Sequence, residues 1–227
     1  MIKVFSSSIS KEDINSAIRC LKSQWLGHGP LVSEFESEFS KYLNSNFLMT
    51  DNCTNAFYIL LRALKYPYGS EIIVPSFSYV GMVNAILLNK LVPVFCDVSY
   101  ETCNVTYDMI KPLISLKTRA ALILHYSGRS CNMTDLKDLF IPIIEDCAHA
   151  VASKFSNQSC GTFGLAGLFS FDSMKNLASC DGGGICSADK KLLDKVRDLR
   201  YCGISKSGLS NSSANSKWWK YKISEPS

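Results

Sequence analysis

The chain has 227 residues, 47% of them hydrophobic, and a mean hydropathy of +0.07, which allows one large domain with a substantial core and excludes a disordered chain. Its 24 basic and 20 acidic residues leave a net charge of +4, with no basic block that would track nucleic acid phosphates. No apolar run approaches a bilayer span and MIKVFSSSIS lacks the apolar core of a signal peptide, so the expectation is a soluble cytoplasmic protein with neither nucleic acid nor membrane as partner.

Ser10 ahead of Glu12 and Asp13 predicts an N-cap with acidic residues in the first turn, and Gly27 and Gly29 close the helix that follows. Leu31, Val32, Phe35, Phe39, Tyr42 and Leu43 recur at helical spacing and predict a second, amphipathic helix ended by Asn44 to Asn46. Short apolar runs then alternate with mostly helical stretches, and strands are predicted at 47–50, 71–74, 92–95, 120–125, 141–145 and 168–171. Continuous apolar runs mean strands buried on both faces, and helices between them mean parallel crossovers. The expected fold class is α/β, a three-layer α/β/α sandwich with a mainly parallel sheet. Residues 1–205 form this domain, with N-terminal helices over 10–43, and residues 206–227 read as a mobile Ser, Asn and Gly-rich loop leading into an extended segment. The ten cysteines contain no C-x-x-C pair; Cys53, Cys96, Cys147 and Cys186 fit small core residues, so reduced thiols and no metal are expected.

Several residues at the carboxyl ends of these strands carry chemistry. In TDNCTNAF a strand ends at Thr50 and a helix is predicted to begin near Asn55, so free N–H groups form a phosphate cradle with Thr54 and Asn55 as side-chain donors. A capped helix with no ligand fits the same letters. Tyr79, after the segment 75–78, can cover a flat ring or pack in a core. Asp146 ends the apolar strand of IPIIEDCAHA, with His149 three residues on; Lys175 lies beyond a strand in FSFDSMKNLASCDGGG, with Ser170 five residues earlier. An amine can condense with an aldehyde and a carboxylate can hold a pyridine nitrogen protonated, the two protein groups that pyridoxal phosphate most needs. Taken singly, the lysine also fits a solvated side chain, the aspartate a turn residue and the histidine an ordinary half-buried one. Gly182, Gly183 and Gly184 follow the lysine and do not link the first strand to its helix, which disfavours a dinucleotide-binding domain.

The stretches WLGHGPLVSEFESEF, TDNCTNAFYILLRAL, GSEIIVPSFSYVGMVNAI, VPVFCDV, HYSGRSCNM, IIEDCAHAVAS, GTFG and FSFDSMKNLASCDGGG occur in one order. In that order and spacing the chain resembles the DegT/DnrJ/StrS family of pyridoxal-phosphate-dependent sugar aminotransferases, from about the first helix to the last residue. The resemblance implies the large domain of a fold-type I transferase. It makes Lys175 the cofactor's covalent anchor and proton carrier, and Asp146 the partner of its ring nitrogen. Thr54 and Ser170 match phosphate contacts, Tyr79 the stacking aromatic, and His149 the group near the phenolic oxygen. Cys53 and Asn55 also fall among the cofactor-binding positions, although Cys53 departs from the usual Gly or Ala and Asn55 from a small residue. Lysine stands where dehydrating relatives carry histidine, so amino transfer is implied. By the same resemblance the substrate is a nucleotide-linked keto-deoxy sugar, the donor glutamate, the enzyme a homodimer and the setting polysaccharide or lipopolysaccharide synthesis. WWKYKISEPS stops where the family continues into a smaller domain, so the chain reads as the large domain of a truncated enzyme. The alternative expectation is a weak or inactive cofactor-binding remnant or regulatory paralogue.

Overall fold

The structure is a computed structural model that describes residues 8–200. The segment expected to be a mobile loop, 206–227, lies outside the described residues. The N-terminal half runs α1 (Lys11–Lys22), α2 (Pro30–Leu43), β1 (Asn46–Thr50), α3 (Cys53–Leu64), β2 (Glu71–Pro75), α4 (Val80–Leu88) and β3 (Val92–Cys96). After it come α5 (Tyr107–Ile110), β4 (Thr118–Leu124), α6 (Met133–Leu136), β5 (Ile143–Asp146), β6 (Lys154–Phe155), β7 (Gln158–Ser159), β8 (Ala166–Ser170), β9 (Gly183–Ser187) and α7 (Lys190–Arg200).

Local chemistry accounts for the helix ends. Ser10 and Asp13 form a reciprocal capping box at the start of α1, which ends at Lys22 before the two glycines expected to close it. Asn44, in the left-handed conformation that asparagine tolerates, stops α2. The crossovers on either side of β4 hold only one-turn α-helices, α5 and α6, extended by short 3₁₀ turns, so they are less helical than the sequence pattern suggests.

Seven strands make one sheet in the order β1-β9-β8-β5-β4-β2-β3. All six predicted strands are present; β9 is the addition, antiparallel to both β1 and β8, while β8, β5, β4, β2 and β3 are mutually parallel. The letters GGICS hide β9 because paired glycines argue against a strand interior. Here they are required: a Cβ at Gly184 would overlap the Phe47 ring, and one at Gly183 would land on the backbone of Asn52 and Cys53.

Both faces of the sheet are covered, as continuous apolar runs demand. Ile72, Val74, Leu122, Ile144 and Leu168 pack with α3, α4 and α7 on one side. Ile73, Ile123, Ile110 and Met133 pack on the other, joined by an aromatic cluster in which Phe39 lies 4.6 Å from Phe47 and 5.4 Å from Phe169. Arg200, at the end of α7, bonds Glu36 of α2 and the Met49 carbonyl of β1, joining these three elements. Among the described residues no helix is long and apolar enough to cross a membrane.

Candidate active site

Because β9 is antiparallel to both neighbours, β1 runs the same way as β8, and the carboxyl ends of β1, β8, β5 and β4 reach one edge of the sheet. In open α/β sheets this edge is where ligands bind. Thr50, Ser170, Asp146 and Leu124 end those four strands, and the residues singled out in the sequence gather there.

The first component is the N-terminus of α3. The helix begins at Cys53, two residues before the expected start, because the Asn52 side chain caps it by accepting the Asn55 N–H at 2.8 Å. The N–H groups of Cys53 and Thr54 therefore occupy the first turn, where no carbonyl of the helix can reach them. Asn55 does not offer its amide to an open cradle: its Nδ2 donates to Asp51 at 2.5 Å. Ser170 is brought beside this turn by Gly183, which pairs with both Thr50 and Ser170 and presses on the Asn52–Cys53 backbone. Gly183→Ala is expected to lower stability by about 1–3 kcal/mol, the usual cost of overpacking, read as a lower urea midpoint. An unchanged midpoint would show that the turn does not need this close approach.

The second component is an aromatic ring. Tyr79 precedes α4 and is 67% exposed, so it is not a core residue. A Cβ at Gly81 would lie 2.5 Å from Thr54 Oγ1 and 2.7 Å from the Tyr79 ring, so hydroxyl and ring both pack against this glycine and leave no room for a side chain there.

The third component is charge. Asp146 is buried and accepts the Ala148 N–H at 3.0 Å. Burial pushes its pKa up, against the pull of that N–H and of Lys175 and His125. Half-buried Lys175 sits on a turn in which its N–H meets the Asp172 carbonyl at 2.9 Å. Its charge reaches three of the other positions. It acts on Asp146, it joins partial burial in lowering the His149 pKa, and it opposes the burial that holds the Cys53 thiol far above its ordinary value. His149 lies at the exposed rim, its Nδ1 accepting the Ser127 N–H at 3.4 Å, with the Tyr126 ring edge-on at 5.7 Å.

Sequence reasoning missed a buried node behind this edge. Glu145, fully buried, accepts N–H bonds from Gly161, Phe163 and Gly164, each at 2.7 Å, and faces His125 Nε2 at 3.0 Å. A carboxylate in the apolar run IPIIED was the available signal, since a buried charge needs several partners. The GTFG motif supplies them from its backbone. His125, Glu145 and Cys147 hold potential metal-ligating atoms within 4.8 Å of one another. Those of the first two are already engaged: His125 Nδ1 accepts the Cys131 N–H at 3.1 Å, so its proton is on Nε2 and points at Glu145.

An amine, a buried acid, an exposed ring and a helix N-terminus with two nearby hydroxyls can together hold a planar, phosphorylated carbonyl compound. Comparison with known proteins agrees. The model of the DegT/DnrJ/EryC1/StrS aminotransferase family matches residues 7–226. A dTDP-4-dehydro-2,3,6-trideoxy-D-glucose 4-aminotransferase of Saccharopolyspora spinosa is 33% identical over 99% of this chain and 60% of its own length. The solved structure of the aminotransferase TlmJ from Streptoalloteichus hindustanus superposes with a TM-score of 0.84 at 32% identity, over 99% of this chain and 60% of that one. A GDP-4-keto-6-deoxymannose-3-dehydratase with a trapped PLP-glutamate geminal diamine reaches a TM-score of 0.85 at 25% identity, over 89% of this chain and 55% of that one. The chain thus spans about three fifths of the length of such relatives.

Proposed function

From the chain's membership of the DegT/DnrJ/EryC1/StrS aminotransferase family, we propose that it builds the pyridoxal phosphate site of an enzyme that transfers an amino group to the keto carbon of a nucleotide-linked deoxy sugar. Glutamate is the proposed donor. The observation that carries this reading is that the carboxyl ends of β1, β4, β5 and β8 bring the capped start of α3, Ser170 and buried Asp146 to one sheet edge.

The residues present fit the cofactor. The open first turn of α3 with Thr54 and Ser170 suits a phosphate, and the exposed Tyr79 ring, beside the Thr54 hydroxyl, suits a flat ring laid against it. Asp146, its pKa raised by burial, suits a cationic ring nitrogen. When bound, pyridoxal phosphate supplies an aldehyde and a ring that accepts the electrons released at the donor carbon. Lys175 Nζ would hold that aldehyde and would move the proton at the donor carbon, as general base and then acid. His149, at the exposed rim, would be the residue to meet the cofactor's phenolic oxygen. Cys53 stays a neutral thiol under the phosphate turn, its pKa held up by burial.

The nucleotide-sugar substrate is supported by the Saccharopolyspora spinosa relative, whose name gives a dTDP-linked sugar. Retention of lysine favours amino transfer over dehydration. The reading extends to a homodimeric, cytoplasmic enzyme serving polysaccharide synthesis. Borohydride reduction of the protein loaded with pyridoxal phosphate, followed by peptide mapping, is expected to label Lys175. A label on Lys190, Lys191 or Lys195 instead would end the assignment. Amination of a dTDP-4-keto-deoxyhexose in the presence of glutamate tests the substrate class, and its absence with a labelled Lys175 would redirect the search to other carbonyl acceptors.

A further inference from the structure

We infer that Glu145, acting through His125, is a positioning residue for Asp146 and His149. The inference rests on the proposed cofactor site but concerns contacts internal to this chain.

Successive residues of a strand point to opposite faces, so Glu145 is turned away from the face that Asp146 presents. A buried carboxylate is poor evidence of stabilisation, since apolar residues of similar volume often serve as well. What distinguishes this one is where its four partners come from. Three are backbone N–H groups of the loop at 161–164, which enters β8; the fourth is His125, which leaves β4. The loop is a fixed anchor: Gly161 has φ +90°, and a Cβ there would meet the Phe169 ring at 2.7 Å and Cys147 Sγ at 3.1 Å. Leu165 N–H then bonds the Ile143 carbonyl of β5 at 2.7 Å.

Against that anchor His125 is held from both ring nitrogens, by the Cys131 N–H and by Glu145. Its own N–H donates to the Asp146 carbonyl at 3.1 Å, and it opens the turn at 126–128 whose Ser127 N–H reaches His149. The path from Glu145 therefore runs through the His125 ring and backbone to the main chain of Asp146, and through the turn at 126–128 to the His149 ring. A glutamine at 145 would turn its NH2 against the His125 and Gly161 donors or against those of Phe163 and Gly164, so only the carboxylate satisfies both sides.

The test uses Glu145→Gln and His125→Phe. In the cofactor-free parent, the ¹H–¹⁵N spectrum is expected to show a slowly exchanging His125 Nε2–H. The Ala148 and Ser127 amide signals are expected to move in both variants. With pyridoxal phosphate, each variant is expected to bind about tenfold more weakly and to change the visible spectrum of the bound cofactor at fixed pH. In an Asp146→Ala background the same substitutions are expected to change affinity less than about twofold, because coupled residues are not additive. A His125 ring protonated at Nδ1 in the parent, unmoved Ala148 and Ser127 signals, or the full tenfold loss persisting in the Asp146→Ala background would each overturn the inference. The first of these needs no variant to fold. Failure of the parent to bind pyridoxal phosphate would instead strike the proposed function and leave the spectra of the free protein to decide the positioning role.

Discussion

Replacing Lys175 by alanine is expected to abolish borohydride labelling and to lower amino transfer by about 10³-fold or more, since the change removes the proposed covalent anchor and proton carrier. Cofactor should still bind, because the first turn of α3, Ser170 and Asp146 are untouched. A small primary amine added to the variant should restore part of the rate by carrying the proton that Nζ carried. Undiminished turnover by the variant, confirmed by mass spectrometry to lack the lysine, would remove Lys175 from the chemistry.

Asp146→Asn is expected to have opposite effects on rate and on stability. The amide keeps the shape and the acceptor for the Ala148 N–H. It cannot balance a cationic ring nitrogen, so half-transamination should slow by about 10²-fold or more. In the cofactor-free protein the sign reverses. Burial raises the Asp146 pKa, so the folded state holds that proton more tightly than the unfolded chain does. Ionisation of Asp146 therefore destabilises the fold, a cost absent below the ordinary carboxylate pKa and complete once pH has risen through the raised value. The asparagine variant lacks this cost. Its thermal midpoint relative to the parent should climb across that window and stay higher at neutral pH. A difference that is flat with pH would mean that the buried acid is already balanced without a cofactor.

Much of this was legible in the letters, and the exceptions have physical causes. Continuous apolar runs announced six strands because a sheet covered on both faces needs no alternation. The ninth strand was invisible because its glycines answer to contacts with Phe47 and the Asn52–Cys53 backbone, and a local propensity does not register contacts so distant in sequence. The helix at 53 starts two residues before the letters suggest because Asn52 is a cap, not a spectator, and Asn55 is taken by Asp51. Asp146, His149, Tyr79 and Lys175 stood out by the order of their motifs, and the structure brings them to one sheet edge. Glu145 did not stand out, because its partners are backbone groups of a loop whose letters, GTFG, carry no charge to pair with it.

The pairing of β1 with β9 has a consequence for the order in which the molecule is made. Asn46 and Ser187, joined by a hydrogen bond, are separated by 141 residues, which takes roughly 7–28 s to translate at about 5–20 residues per second. Throughout that interval α3 can form, yet Ser170 and Gly183, the other wall of its first turn, have not been synthesised or have no partner strand. A phosphate arriving at the nascent chain thus meets half a cradle. The proposed site would close only when β9 slides between two strands that are already waiting, so ligand capture there would follow completion of this sheet and then stabilise the finished fold by mass action.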